Sequence, residues 1–349
     1  MLCERRVRPA RRRIKKCDES HGLGIPVYKE PMRAAISRSA TQPLEIIELP
    51  SRPLRAHEIR VKVRAVGVNP VDWKMREGGP LRAARAVLGP FGPFVVGQDF
   101  SGEVIELGAK VGELKLGDRV VGGTNFSRNQ QGAYAEEVIV QRDQIAILPE
   151  SVSFEQAAAL PVPAATAWVA LKEHQSIGAG HKILVLGASG GVGLATIQLA
   201  RMLGAEAYGV CSSRNVALVE ETGATAIDYT KGDPLEAAKA FGPFDLIMHA
   251  VGTSTYPLAA CRALLSPKGI VDLVVIQPSD YLTYATSKNV NTLLGVPTRA
   301  RLEPAVLAVA QGAYKPLIEE RFTLEDSEKA HTRSKSGKVV GKLIILPNG

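Results

Sequence analysis

Apolar residues run through this chain in two rhythms. Between residues 32 and 148 they alternate with polar ones in short stretches broken by glycine: IRVKVRAVGV, FSGEVIELG, GDRVVGG and GAYAEEVIV. Alternation of that kind predicts half-buried strands of a β-rich domain. PESVSFEQAAALPVPAATAWVAL then reads as alanine-rich helix. From about residue 182 the apolar runs become continuous, in KILVLGA, EAYGVCSS, TAIDY, FDLIMHAVG and GIVDLVVIQ, while VGLATIQLARMLG and NVALVEETG have helical spacing. Strands apolar on both sides, alternating with amphipathic helices, predict a parallel sheet covered on both faces. The closing SGKVVGKLIILP is a strand of the first kind again. The expected architecture is α/β: a β-rich domain over 32–155, a doubly wound parallel-sheet domain over 156–294, and a return to the first over 295–349. Residues 1–31 form a basic extension.

Within the second rhythm, eighteen residues separate Lys182 from the next charge at Arg201, the length of a short membrane span. The four glycines of GASGGVG decide against a span, because they stand where an apolar strand turns into a helix. Gly187, Gly190 and Gly193 give GxxGxxG, a relative of the dinucleotide fingerprint. Such glycines let the backbone approach a pyrophosphate, whose charge is met by N–H groups at the helix start. Ser189, Gly190, Gly191, Val192 and Gly193 are the expected cradle. The following strand ends EAYGVCSSRN, where an NAD site usually carries a carboxylate for the ribose 2′-hydroxyl. Ser212, Ser213 and Arg214 suit a 2′-phosphate instead, so the expected cofactor is NADPH. Arg214 also fits a solvated arginine at a helix start. Tyr229 is a candidate for the adenosine side or for simple strand-end packing. Val251 and Gly252, at the C-terminal end of a predicted strand, are expected to line the nicotinamide pocket by backbone contact.

Composition narrows the class. With 349 residues, 45% apolar and 22% charged, the chain fits a globular protein of about two domains. Charges or prolines interrupt every other apolar run, so no membrane partner is expected. Cys3, Cys17, Cys211 and Cys261 are scattered without CxxC spacing, which argues against a disulfide framework or a cysteine zinc site. Of the net charge of +8, +5 lies in residues 1–31, around RRVRPARRRIKK. That cluster has the charge of a nucleic-acid or membrane-surface arm or of a targeting peptide. It lacks aromatics and an apolar core, so it reads better as an unstructured leader, or as a start assigned too early with Met32 as the working one. Nucleic acid is not an expected partner. The expected location is cytoplasmic, with organelle import left open. The six histidines are dispersed, and His249, in a predicted buried strand, is expected as a hydrogen-bonded core residue. No Gly-x-Ser-x-Gly elbow supports hydrolase chemistry.

GVNPVDWKMREG, GQDFSGEV, GDRVVGG, GAYAEEVIV, LPVPAATAWVAL, GASGGVG and GKLIIL occur in an order that resembles the medium-chain dehydrogenase/reductase superfamily. The resemblance spans essentially residues 32–346. It implies a GroES-like β-domain plus a Rossmann domain with the active site between them. Zinc-dependent members carry Cys and His-Glu where this sequence has Asn69 and Gln98-Asp99. TNFSRNQQ fills the place of the cysteine lobe without a cysteine. Asn and Gln are not usual zinc ligands, so no metal is expected. What remains resembles the zinc-independent quinone oxidoreductases and enoyl, enone and alkenal reductases, which implies hydride delivery to the β-carbon of a C=C conjugated to a carbonyl. On this footing Asn69 is a candidate donor to substrate or cofactor ribose, though an Asn-Pro turn explains it equally. Lys74 falls where many such relatives carry tyrosine and is a candidate enolate stabiliser or proton donor, or a plain surface lysine. Thr166 matches a position near the nicotinamide ribose, and Asp72 is expected to organise its loop. An enoyl thioester is the preferred substrate, since Arg82 and Arg85 would suit an anionic carrier. A quinone or free enone is the alternative, and a non-catalytic NADPH-binding protein is the reading of another class. The resemblance also implies a homodimer, for which NVNTLLGVP is the candidate edge.

Overall fold

A computed structural model describes residues 29–90, 93–277 and 279–348. The basic cluster RRVRPARRRIKK, Cys3 and Cys17 lie outside these residues. Eight strands precede residue 150: Lys29–Ser37 (β1), Glu45–Ser51 (β2), Glu58–Val68 (β3), Phe94–Val95 (β4), Asp99–Leu107 (β5), Arg119–Gly123 (β6), Glu137–Gln141 (β7) and Ile145–Ile147 (β8). β1 pairs antiparallel with β2 and β4 in a small sheet, and β3, β5, β6 and β8 follow one another in a larger one, with β7 added on β3. β3 departs from the expected half-buried strand. One face is fully covered and the other is open only around Lys62 and Arg64, while Arg60 is 1% exposed, held by Glu106 at 2.8 Å and Glu137 at 3.1 Å. A charge buried that deeply persists because it is paired and hydrogen-bonded.

The expected alanine-rich helix is divided into Phe154–Ala158 and Pro161–Trp168, continued by a π-helical segment to His174. Pro161 has no N–H to donate and so opens a new helix instead of extending the old one. Beyond it lie Lys182–Leu186 (β9), Glu206–Cys211 (β10), Thr225–Asp228 (β11), Phe244–His249 (β12), Leu265–Leu273 (β13) and Val290–Thr292 (β14). They form one parallel sheet in the order β11-β10-β9-β12-β13-β14. Its two faces feed different cores: Ile183 and Val185 of β9 join one cluster, Leu184 and Leu186 the other. Strand order reverses between β10 and β12 on either side of β9, which opens a crevice at the carboxyl ends of these strands.

The chain then supplies Ile318–Thr323 (β15) and Lys342–Leu346 (β16). β16 runs antiparallel to β3 and parallel to β15. This return places Gly341 against the glycine loop: its N–H donates to Ser189 O at 2.9 Å. Among the described residues no helix is long and apolar enough to cross a membrane.

Candidate active site

At the crevice, β9 ends on Leu186 and the helix Gly191–Met202 begins five residues later. Gly187 turns the chain at φ +92°, and a Cβ on Gly193 would stand 2.3 Å from Gly187 O, so the helix can close on the strand only without one. Gly190 is the N-cap and offers no side-chain acceptor. The first-turn N–H groups of Gly191, Val192 and Gly193 therefore point out of the helix, the arrangement that takes a phosphate. Ser189 Oγ accepts from Asn215 Nδ2 at 2.9 Å, which ties this loop to the segment after β10. Val251 packs on Gly187, 3.1 Å from where a Cβ would stand, and so continues the same floor.

On the other side of β9, Ser212 is half-buried while Ser213 and Arg214 are exposed. Sequence reasoning missed their neighbour. Asp228 ends β11, and its carboxylate accepts from Ser213 Oγ at 2.6 Å and from the N–H and hydroxyl of Thr230. The Ser213 hydroxyl holds this carboxyl below its ordinary range. Tyr229, 49% exposed, follows it and bonds Cys211 O through its N–H.

The β-domain faces the loop with a buried polar cluster. Asn69, 2% exposed, precedes the helix Pro70–Glu77, and its backbone N–H donates to Asp72 Oδ2 at 2.8 Å. Asp72 thus organises the helix start, as expected. Lys342 opens β16 and donates from Nζ to Asn69 Oδ1 at 2.6 Å, Val68 O at 2.9 Å and Asp99 Oδ2 at 3.4 Å. Asp99 Oδ1 accepts from Val162 N–H in the first turn of the helix Pro161–Trp168. Thr166 lies one turn further along the same side of that helix, 4% exposed and packed on Gly295. Burial pushes Asp99 up and Lys342 down, while their mutual attraction opposes both shifts. A zinc ion does not fit here. The oxygens of Asn69 and Asp99 already surround an ammonium group, and a dication would have to displace it.

Behind Asn69 a chain of hydrogen bonds reaches outward. Tyr134 OH donates to Asp72 Oδ2 at 3.2 Å, His331 Nε2 lies 3.3 Å from Tyr134 OH, and Arg76 meets His331 Nδ1 at 3.4 Å and Glu328 at 2.7 Å. Arg76 can only donate, so Nδ1 accepts and Nε2 carries the proton. Burial, then the nearby Asp99 charge, pushes Asp72 up to about 7, and its Oδ1 has no partner. Burial pushes His331 down to about 3. The unfolded chain therefore takes up a proton at His331 below about pH 6.5 that the folded one refuses, and stability falls as pH falls through that window toward 3. Denaturant midpoints measured from pH 7 to 5 should fall less steeply in His331→Gln than in the wild-type protein.

Lys74 is half-buried beside the Trp73 ring at 5.5 Å, and burial lowers its pKa. Arg82 is exposed, but Arg85 is turned inward, stacked 3.9 Å over Phe94. His249 is fully buried with both ring nitrogens at backbone carbonyls, as a core residue. Lys342 and Tyr134 were missed by sequence reasoning. The one available signal was a lysine opening the apolar run GKLIIL.

A glycine loop with open helix-start N–H groups thus faces a buried polar cluster, in the two-part arrangement of a dehydrogenase/reductase fold. Residues 55–150 match the alcohol dehydrogenase GroES-like domain, and residues 222–345 match the zinc-binding dehydrogenase family. The chloroplast envelope quinone oxidoreductase homolog of Arabidopsis thaliana is 32% identical over 87% of this chain and 94% of its own length. The mitochondrial NAD(P)H oxidoreductase of Danio rerio is 31% identical over 83% of each. The quinone oxidoreductase from Coxiella burnetii superposes with a TM-score of 0.81 at 29% identity, over 91% of this chain and 99% of that one. The chain belongs to the medium-chain dehydrogenase/reductase superfamily, in its quinone-oxidoreductase-like, zinc-independent branch.

Proposed function

We propose that the chain is an NADPH-dependent oxidoreductase that reduces a conjugated carbonyl compound, a quinone or a free enone, without a metal. The observation that carries this reading is the adjacency of Gly341 and Lys342: one binds the glycine loop at Ser189, the next binds Asn69 in the donor cluster. Cofactor loop and reacting site are thereby joined by two consecutive residues. Bound NADPH would supply a hydride. Ser189, Gly190, Gly191, Val192 and Gly193 would hold its pyrophosphate, and Ser212 and Arg214 its 2′-phosphate, joined by Ser213 once its hydroxyl turns from Asp228, with Tyr229 on the adenosine side and Val251 and Gly252 under the nicotinamide.

Asn69 is oriented by Lys342, which donates to its Oδ1 and leaves Nδ2 as the donor end of the carboxamide. Nδ2 lies 3.4 Å from Gly67 O and the side chain also bonds Asp99, so Asn69 would serve a substrate oxygen by exchanging one of these partners as negative charge develops on it. Lys74, with its ammonium destabilised by burial, is suited to give up the proton that completes the reduction. Thr166 would face the nicotinamide ribose. Lys74→Ala should lower kcat by roughly tenfold to hundredfold while NADPH affinity stays near normal. Unchanged kcat removes Lys74 from the mechanism.

The names of the relatives support the quinone class. The enoyl-thioester preference drew on two arginines, and Arg85 is committed to Phe94. Comparing kcat/KM for a quinone, a free enone and a short enoyl-CoA at saturating NADPH tests the choice; a preference for enoyl-CoA restores the thioester reading. The chloroplast and mitochondrial names of two relatives favour organelle import by residues 1–31 over the cytoplasm. We also infer a homodimer through β14, the last strand of its sheet, beside which Leu294 is 67% exposed. Leu294→Arg should shift the sedimenting species to a monomer, and an unchanged species contradicts that interface.

A further inference from the structure

Beyond the glycine loop, the crevice floor passes onto the irregular segment after β12. Ala250 N–H donates to Leu186 O at 3.0 Å and Val251 packs on Gly187. A ligand crossing from β9 toward β13 along the strand ends meets Val251 and Gly252 next. No regular structure fixes that backbone, yet it is held from two directions. From beneath, His249 Nδ1 lies 2.6 Å from Val251 O and Nε2 3.0 Å from Tyr256 O. From the side, Asp280, 4% exposed at the start of the helix Asp280–Thr286, accepts from the Thr253 hydroxyl at 2.8 Å and from Gln277 N–H at 2.8 Å. Gln277 Oε1 in turn accepts from Ser254 N–H at 3.0 Å. Its carboxamide nitrogen lies 2.9 Å from where a Cβ on Gly252 would stand. One buried carboxylate thus ties the end of β12 to the end of β13.

We propose that Asp280 is a positioning residue for the nicotinamide half of the cofactor: by holding Thr253 and Gln277 it fixes the Val251–Gly252 backbone on which that half lies. This rests on the NADPH reading above. The sheet order puts the adenosine end over β10 and β11 and this clamp over β12 and β13, on opposite sides of β9. Loosening the clamp therefore acts on one half of the dinucleotide and spares the other. It also misplaces the donor carbon, so the hydride step loses more than binding does, because small displacements of reacting groups are costly.

The test compares binding of NADPH and of 2′,5′-ADP, which lacks the nicotinamide half, by calorimetry, together with kcat for quinone reduction. Asp280→Ala and Thr253→Val should each weaken NADPH about tenfold and lower kcat further, with 2′,5′-ADP affinity changed by less than about twofold. Thr253→Ser keeps the hydroxyl and should recover NADPH affinity relative to Thr253→Val. Equal weakening of both ligands would mark general damage to the domain and overturn the proposal, as would unchanged NADPH binding and kcat. If the wild-type protein binds 2′,5′-ADP and NADPH but the variants match it, the positioning role alone falls. If the wild-type protein binds neither, the cofactor reading falls and the proposal with it.

Discussion

Replacing Arg214 by alanine should weaken NADPH binding by roughly 10- to 100-fold and leave NADH binding almost unchanged. The guanidinium is exposed at the end of β10, beside two hydroxyl side chains, where a 2′-phosphate would lie. Its charge-assisted bonds to that phosphate have no counterpart with a ribose hydroxyl. Asp228 makes the prediction sharper. Its carboxylate accepts the Ser213 hydroxyl at 2.6 Å and brings negative charge to the rim of the same site. Asp228→Asn should therefore favour NADPH over NADH further, by removing repulsion. Titration of both nucleotides against the two variants checks this. Equal loss of NADPH and NADH in Arg214→Ala would mean that the arginine does not read the 2′-phosphate.

Lys342→Met should be the most damaging single change in the cleft. It strands the fully buried Asp99 and removes the partner of Asn69 Oδ1. Breaking a buried ion pair from one side costs about 3–5 kcal/mol of stability, because the remaining charge has lost its compensation. Turnover should fall with it, since Asn69 is no longer oriented. Lys342→Met combined with Asp99→Leu should recover much of the stability, as the uncompensated carboxylate is gone, but not the turnover. Urea unfolding of the single and double variants, with quinone reduction measured on each, separates the two effects. A Lys342→Met protein as stable as wild type would contradict the buried pair.

The parts of this site that could be read from the sequence are those built locally. GASGGVG sits within one strand–turn–helix unit, so its spacing alone specified the tight turn and the open helix start. Asn69 and Asp72 form a helix start within four residues, which made Asp72 legible as a loop organiser. Lys342 was not legible in this way. It meets Asn69 across 273 positions and Asp99 across 243, because the closing strand returns to the first domain. Asp228 was missed for the same reason: β10 and β11 are neighbours in the sheet, and pairing Cys211 with Asp228 carries that carboxylate to Ser213. The alternation in IRVKVRAVGV suggested one wet face, whereas sheet pairing and the Glu106 and Glu137 carboxylates allow even Arg60 to be enclosed.

The most direct measurement is reduction of a free enone and a quinone by chelator-treated protein, using NADPH deuterated at the transferable position. Turnover should be undiminished after chelation, and deuterium should appear on the β-carbon of the reduced enone. Loss of turnover that zinc restores, or turnover that leaves no deuterium on that carbon, would contradict metal-free hydride transfer from the nucleotide to a conjugated carbonyl.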